Sequence, residues 1–333
     1  MRGTAAGEVG RKGERMGNDG VAKGEASRPH GERAETGAAV LCGLRHPVFQ
    51  AGMAGIAGPE LAAAVSEAGG LGHLGGLRLP PACLREAIRE VRRRTDRPFG
   101  VNLVPAGCRP AAFAAQLRVV LEERPAVLSL FQDHRLDAVA RARDAGIVVM
   151  VQVGSVAEAR RAFARGARAV IAQGVEAGGH LWGTTALLPL LSAILEIAEG
   201  RPVLAAGGIV DRREVRAVRA LGAAGVWVGT AFVATEESRA HALYKRRLLA
   251  ASSDATEYRR GYSYGWGFGA PHRVLPGPRR FDPLCLLAGG ARRTDREVWA
   301  RRISLYAGQG VGRIERVRPA AELVAELAAG FVD

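Results

Sequence analysis

Short apolar runs alternate with longer amphipathic stretches along most of the chain. The first run, HPVFQAG at 46–52, predicts a strand. GPELAAAVSEAGG then predicts a helix, because Pro59 stands near its first turn and two glycines follow its end. LGHLGG at 71–76 predicts a second strand, and PPACLREAIREVRRRT predicts a second helix. Short runs that are apolar on both faces are typical of parallel strands covered by helices.

The same alternation continues to residue 230. Six more strands are predicted at RPFGVNLV, AVLSL, GIVVMVQV, ARAVIA, RPVLAAGG and AGVWVGT. The helices between them are predicted at 110–123, 134–145, 155–166, 184–199 and 211–222. The helix that begins at Ser155 has Glu158 three residues on, which is the spacing of a capping box.

Eight strands with intervening helices predict an α/β fold, a (β/α)8 TIM barrel. An open doubly wound sheet is the alternative. That fold would show GxGxxG after its first strand, and QAGMAG does not match it.

The two ends of the chain depart from this rhythm. Residues 1–40 have almost no large apolar side chains, which predicts a disordered tail before a barrel core at 43–235. Residues 236–318 begin with a predicted helix at 236–250 and continue into GYSYGWGFGAPHRVLPGPRRF, which predicts a lid or insertion over the barrel mouth. Residues 319–333 are amphipathic and predict a helix that returns to the barrel.

Composition agrees with one large domain, since 48% of the 333 residues are hydrophobic. The formal net charge is +14, and the stretch from Arg239 to Arg318 holds 17 Lys and Arg against 6 Asp and Glu. This stretch is either a polyanion-binding surface or an Arg-rich solvated face. The chain has no zinc-finger spacing, RNA-binding signature or basic heptads, so we expect no nucleic-acid partner.

The cysteines give no sign of a metal site or a disulfide framework, because Cys42, Cys83, Cys108 and Cys285 form no CxxC pair. The N-terminal residues lack the apolar core of a signal peptide, and no apolar run reaches about 18 residues. We therefore expect a cytoplasmic protein without a membrane partner or a bound metal.

Candidate ligand-binding residues follow the predicted strands, where the active sites of TIM barrels gather. Glycine-containing turns after the last two strands can cradle a phosphate, and Thr230 can add a hydroxyl donor. Asn102 and Gln173 can bond a ribityl chain or a ring edge, so the predicted ligand is a phosphorylated organic cofactor, with FMN the common choice. The candidates at strand ends are Ala51, Gly52, Met53, Asn102, Gln152, Gln173, Gly178, Gly179, Gly207, Gly208, Gly229 and Thr230.

His180, in QGVEAGGHLWG, follows two glycines at the end of the sixth strand. An imidazole has an ordinary pKa of about 6.5, so we expect His180 to exchange a proton near neutrality and to be catalytic. His46 and His73 lie before or inside short strands and are expected to be structural. Glu176 is expected to cap or position the loop that carries His180.

Several motifs resemble the nitronate monooxygenase family. They are HPVFQAGMAGIAGPELAAAVSEAGGLGHLG, PFGVNL, QGVEAGGH, VLAAGGI, GVWVGTAF and YAGQGVGRI, and the resemblance covers about residues 43–333. It implies a TIM barrel with non-covalent FMN held by Asn102, Gln173, Gly178, Gly207 and the stretch Trp227, Val228, Gly229, Thr230. It also implies that the backbone of residues 51–53 lies against the flavin and that His180 is the catalytic histidine.

The expected reaction is the FMN-dependent oxidation of alkyl nitronates or nitro compounds with O2 to a carbonyl product and nitrite. An NAD(P)H-dependent enoyl-ACP or quinone reductase is the alternative, because those enzymes share most of the motifs. Two further readings are a binding protein that has lost the chemistry and a polyanion binder that uses residues 239–318. The expected partners are a small-molecule substrate and O2, with a homodimer as an option.

Some positions depart from the family pattern. Many members have proline where this chain has Gly52, and His73 and Gly76 are unusual within GLGHLGGL. The segment YSYGWGFGAPHRVL is distinctive, and its aromatic side chains are expected near the route by which substrate enters. These aromatic residues are Tyr262, Tyr264, Trp266 and Phe268.

Overall fold

The computed structural model describes residues 37–131, 137–260, 270–277 and 305–332. Its strands are β1 (Val48–Gln50), β2 (His73–Gly75), β3 (Gly100–Leu103), β4 (Val127–Phe131), β5 (Val148–Val153), β6 (Ala169–Gln173), β7 (Gly179–His180), β8 (Val203–Ala206), β9 (Gly225–Val228), β10 (Glu257–Arg260), β11 (Pro271–Leu275) and β12 (Leu305–Tyr306). Its α-helices are α1 (Ala38–Cys42), α2 (Pro59–Glu67), α3 (Pro81–Arg94), α4 (Pro110–Glu123), α5 (Asp137–Asp144), α6 (Val156–Ala164), α7 (Leu187–Ile197), α8 (Arg212–Ala220), α9 (Thr230–Val233), α10 (Ala242–Leu249) and a C-terminal helix (Ala320–Ala328).

Eight parallel strands form a nearly closed barrel, which confirms the predicted fold. Hydrogen-bonded neighbours follow the order β1-β9-β8-β6-β5-β4-β3-β2. A parallel bridge between Phe49 and Leu71 brings β1 back against the residue that precedes β2, so the two edges of the sheet meet. The C-terminal helix contacts both α2 and α8, and it thereby fills the eighth position in the outer ring of helices.

The barrel buries one apolar layer inside the strands and another between strands and helices. The interior layer includes Phe49, Leu71, Met150, Ile171 and Trp227. Strand residues that point the other way pack against the helices, as the continuous apolar runs predict.

Helix α1 corrects one sequence boundary. Residues 38–40 were assigned to the tail, but Ala38 is fully buried, and it packs with Cys42 in the interior apolar layer of the barrel. The fold therefore begins before residue 43, because a short helix with small apolar side chains adds to that layer. The remainder of the predicted tail lies outside the described residues.

Two helix starts show how local chemistry sets the boundaries. Ser155 caps α6 as predicted, since its hydroxyl accepts from the Glu158 N–H at 3.3 Å. The predicted helix at 236–250 is shorter, because α10 begins only after His241, whose Nδ1 accepts from the Leu243 N–H at 3.2 Å. Residues 234–241 instead form a turn in which the Ser238 hydroxyl donates to the Val233 carbonyl at 2.8 Å.

A second, smaller antiparallel sheet stands beside the barrel strands. Strand β11 lies at its centre and pairs with β10, β12 and the two-residue strand β7. Strand β7 comes from the loop after β6, whereas the other three belong to the segment 236–318. That segment is therefore built into the barrel by main-chain hydrogen bonds to the loop that carries His180.

Candidate active site

One pocket opens at the carboxyl ends of the barrel strands. All fourteen predicted cofactor-binding residues and His180 line it, so the structure brings the sequence candidates together. Sequence reasoning missed a group of lining residues from the loop after β2, from α10 and from the C-terminal segment. This group includes Leu77, Arg78, Tyr244, Tyr306, Gly308 and Gly310.

Glycines shape one end of the pocket as a cradle for an anion. Gly207 and Gly208 have φ values of +127° and +72°, a left-handed region that side chains rarely adopt. A Cβ on Gly178 would lie 2.5 Å from the Gly308 nitrogen, so the two loops touch through their backbones. The Thr230 hydroxyl oxygen accepts from the Gly308 N–H at 3.0 Å, which leaves its own O–H to donate to a ligand.

Two amide side chains, one on β3 and one at the end of β6, have defined partners. Asn102 donates from Nδ2 to the Ser129 hydroxyl at 3.0 Å. Gln173 donates from Nε2 to the His180 carbonyl at 2.8 Å, and its Oε1 accepts from the Trp182 N–H at 3.1 Å. Gln173 lines the pocket, but both ends of its amide are used to hold the segment that carries His180.

Gly52 explains one departure from the family pattern. A Cβ at this position would lie 2.2 Å from the Asn102 Cβ, which is closer than real Cβ contacts. Only glycine fits here without moving Asn102. The backbone of the loop after β1 therefore packs directly against Asn102 of β3.

Trp227 forms the floor of the pocket and separates it from the barrel interior. Its ring lies 4.6 Å from the ring of His73, measured between centroids, in an edge-to-face arrangement. His73 is fully buried, and desolvation lowers its pKa to about 3. Neither ring nitrogen of His73 has a hydrogen-bond partner among the described residues. These features fit the expected structural role of His73, and it does not line the pocket.

His180 occupies strand β7, immediately after Gly179, whose φ is +82°. Strand β7 pairs with β11 so that His180 stands opposite His272. The ring centroid of His180 lies 5.9 Å from that of His272 and 5.4 Å from that of Tyr306. The catalytic candidate is therefore fixed by a strand pairing that the sequence did not predict.

The electrostatic surroundings of His180 correct the expectation that it titrates near neutrality. Burial lowers its pKa well below the ordinary value, and positive charge at His272 and Arg78 lowers it further. The imidazole is consequently neutral at pH 7. A neutral imidazole has one N–H donor and one nitrogen that can accept a proton.

Arg78 brings a cation to the wall of the pocket. Its φ is +57°, an uncommon left-handed conformation for a residue with a side chain. Its Nε donates to the Gly107 carbonyl at 3.0 Å, which fixes the position of the guanidinium group. No sequence signal marks this residue, because its place in the pocket depends on how the loop after β2 turns.

The loop between β6 and β7 is braced from both sides. Both carboxylate oxygens of Glu176 accept from the Leu187 N–H, at 3.0 and 3.1 Å, so this side chain ties the loop to the start of α7. The Glu176 carbonyl accepts from the Gln309 N–H at 2.9 Å. On the other side, Arg273 donates from Nε to the Val175 carbonyl at 2.8 Å.

Some residues singled out in the sequence fall outside the part of the chain that the structure describes. Tyr262, Tyr264, Trp266, Phe268 and Cys285 lie outside the described residues. Within the described ranges, no three His, Cys, Asp or Glu side chains come together as metal ligands. The helices of the same ranges are all too short or too polar to cross a bilayer.

The fold and the pocket define a class, the TIM-barrel proteins with a pocket at the carboxyl ends of the strands. More narrowly, the chain belongs to the nitronate monooxygenase family, whose model matches residues 38–276. Proteins of this family are flavin-dependent oxidoreductases.

Known relatives carry two kinds of name. The chain is 39% identical over 245 residues to a (3aS,4S,5R,7aS)-5-hydroxy-7a-methyl-1-oxo-octahydro-1H-indene-4-carboxyl-CoA dehydrogenase of Mycobacterium tuberculosis, an alignment that covers 73% of this chain and 66% of that protein. It is 36% identical over 346 residues to a nitronate monooxygenase of Pseudomonas aeruginosa, with 86% and 96% covered. The solved structure of FabK from Thermotoga maritima superposes with a TM-score of 0.79 at 36% identity, over 88% of this chain and 94% of that one.

Proposed function

We propose that the protein binds FMN in this pocket and oxidises alkyl nitronates with O2 to a carbonyl product and nitrite. The observation that carries the proposal is the charge of the pocket. Arg78 is the cationic side chain among the described lining residues, and none of those residues is acidic. Such a lining favours anionic ligands, and both a phosphorylated cofactor and a nitronate are anions.

The residues of the pocket fit FMN. The left-handed glycines at 207 and 208 and the hydroxyl of Thr230 suit a phosphate dianion. The close approach of Gly52 to Asn102 keeps that wall free of side-chain bulk, which suits a flat ring system. When bound, FMN supplies the redox chemistry that carries electrons from the substrate to O2.

The protein's own contribution begins with His180. Because this imidazole is neutral at pH 7, it can accept the α-proton of a neutral nitro compound or donate a hydrogen bond to a preformed nitronate. The charge of Arg78 stabilises the negative charge that appears on the nitro oxygens. The side chains of Met53, Ile56 and Val233 line the same space and exclude water.

The decisive test is anaerobic stopped-flow absorbance of the flavin-loaded protein. It is mixed separately with an alkyl nitronate, with NADH and with NADPH. We expect the nitronate alone to bleach the flavin rapidly, and O2 to restore the colour with release of nitrite. Bleaching by a nicotinamide and not by the nitronate would exclude the proposed reaction.

A second candidate is a flavin-dependent dehydrogenase or reductase that acts on an acyl thioester. The supporting observation is the 39% identity to a carboxyl-CoA dehydrogenase, a relative whose substrate is also anionic. The same stopped-flow experiment separates the two candidates. Bleaching by an acyl-CoA would indicate a dehydrogenase, and bleaching by NADH or NADPH with reoxidation by an enoyl thioester or a quinone would indicate a reductase.

A further inference from the structure

Three rings from separate parts of the chain form a cluster at the edge of the pocket. His180 comes from β7, His272 from β11 and Tyr306 from β12. The centroid of His272 lies 5.9 Å from His180, and the centroid of Tyr306 lies 5.4 Å from His180 and 6.5 Å from His272. His180 and Tyr306 line the pocket, whereas His272 is fully buried and stands behind them.

The orientation of His272 is fixed by two sets of contacts. Its Nδ1 lies 3.1 Å from the Ala270 carbonyl, so the neutral ring has its proton on Nδ1 and a lone pair on Nε2. The next residue, Arg273, holds β11 in place, because its guanidinium bonds the Val175 carbonyl at 2.8 Å and the Thr256 hydroxyl at 3.1 Å. Strand β11 therefore holds His272 in place opposite His180.

We propose that His272 is a positioning residue for His180, which fixes the orientation of that imidazole from behind and opposes its protonation. The inference rests on the proposed function in one respect, namely that a neutral His180 takes part in the reaction. Because His272 does not line the pocket, it acts through His180 and not by direct contact with substrate.

The physical reason is that two imidazoles cannot both be charged at this separation in a buried site. A proton on either ring raises the energy of a proton on the other. Other groups face His180 as well. Arg78 from the loop after β2 adds a positive charge, and Tyr306 from β12 adds a phenol. The carboxylate of Glu176 is directed to the start of α7 and the guanidinium of Arg273 to Val175, so neither offsets the repulsion directly.

The test uses two variants and one control. His272→Phe keeps a ring in the cluster and removes the ionisable group. His272→Asn removes the ionisable group and keeps a donor for the Ala270 carbonyl, so it provides the same test if the phenylalanine variant does not fold. His46→Asn is the matched control, since His46 lies before β1 and outside the pocket.

The first readout is NMR of ¹⁵N-labelled histidine side chains between pH 4 and 8, without substrate. The His180 signal is assigned by its loss in His180→Asn. Both His272 variants should move the titration midpoint of His180 up by about half a pH unit or more, because the like charge has gone. An unchanged midpoint in either folded variant would overturn the proposal.

The second readout is the pH profile of turnover. The acid limb of kcat should move to higher pH in both variants. The value of kcat on neutral nitroalkanes should fall by on the order of 10- to 100-fold, with KM changed less, because the base is no longer held in one orientation. If neither the wild type nor any variant turns over a nitronate, the proposed function fails. The NMR result still decides the role of His272.

Discussion

At the scale of single residues, the site depends on a histidine that burial keeps neutral. His180 lies near a second imidazole and a guanidinium group, and both of these oppose its protonated form. A neutral, oriented imidazole is ready to accept a proton without first losing one. The cost is a weaker base, which in the proposed reaction is offset by the positive charge of Arg78 as the nitro compound becomes an anion.

Replacement of this histidine separates proton transfer from the later steps. The His180→Asn variant should still bind FMN, because Gly207, Gly208 and Thr230, which shape the anion cradle, are unchanged. Its turnover of neutral nitroalkanes should fall by about 10²- to 10⁴-fold, the usual contribution of a general base, with a much smaller loss on preformed nitronates. Steady-state kinetics on the two substrate forms measure this difference. Equal and small losses on both forms would remove His180 from the role of base.

Gly52 gives a test of packing at the opposite wall. Gly52→Ala places a methyl group 2.2 Å from the Asn102 Cβ, so we expect a loss of about 1–3 kcal/mol in the free energy of unfolding from overpacking. Gly229→Ala is the matched control in the same pocket, because its new Cβ would lie 3.6 Å from the nearest atom and its φ is not positive. Urea unfolding of the cofactor-free proteins compares the two. Similar losses in both variants would contradict the packing argument.

At the scale of elements, the loop from β6 to β7 connects the barrel to the small sheet. The Glu176 side chain caps α7, and the Glu176 carbonyl accepts from the Gln309 N–H. Gly179 and His180, at the end of the loop, pair with β11. The position of His180 therefore depends on three separate elements that contact this loop.

The side chain of Glu176 does not line the pocket, so it can be removed without changing the lining. Glu176→Ala leaves the first turn of α7 without its carboxylate acceptor, and we expect a loss of about 0.5–2 kcal/mol in unfolding free energy. Glu176→Gln keeps an oxygen acceptor and should lose less. Thermal unfolding of both variants checks the order. An alanine variant as stable as the glutamine variant would show that the cap contributes little.

The elements that the sequence predicted are those encoded locally. Each of the eight barrel strands is a short apolar run followed by turn residues, and such a pattern needs no knowledge of distant residues. Strands β7, β10, β11 and β12 had no such signal. Strand β7 is two residues long and its pairing with β11 joins positions about 90 residues apart, so only the folded chain reveals it.

The same distinction holds for the candidate site. Gly178, Gly207 and Thr230 were found because they follow predicted strands, where ligands bind in this fold. Arg78 and His272 were missed because nothing in their neighbouring residues marks them. Tyr306 stood in a quoted family motif, but its place in the pocket follows from the register of β12.

At the scale of the whole molecule, buried histidines link stability to pH. His73, His180 and His272 all have pKa values below the ordinary value of a histidine, because burial disfavours their charged forms. The unfolded chain binds these protons more readily than the folded one. Stability is therefore full above the ordinary histidine pKa and is lost as the pH falls toward the lowered values.

His73 tests this link because it lies away from the pocket. Its pKa falls to about 3, so the wild-type protein should lose about 1.4 kcal/mol per pH unit from this group between about pH 6.5 and 3. His73→Leu should lose less stability on acidification, and at neutral pH it should be as stable as the wild type or more so, because an unpartnered imidazole is gone. Urea unfolding at pH 7.5, 6 and 5 measures the slopes. Parallel slopes in the two proteins would contradict the prediction.

The pairing of β7 with β11 also determines when, during synthesis of the chain, His180 reaches its final position. The ribosome makes all eight barrel strands before it reaches residue 271, but Gly308, which contacts Gly178 and Thr230 in the glycine cradle, is made later. His180 receives its neighbours only when residues 271–306 have emerged. The imidazole of His180 is thus made early, and its neighbours on β11 and β12 are added only in the last stage of translation.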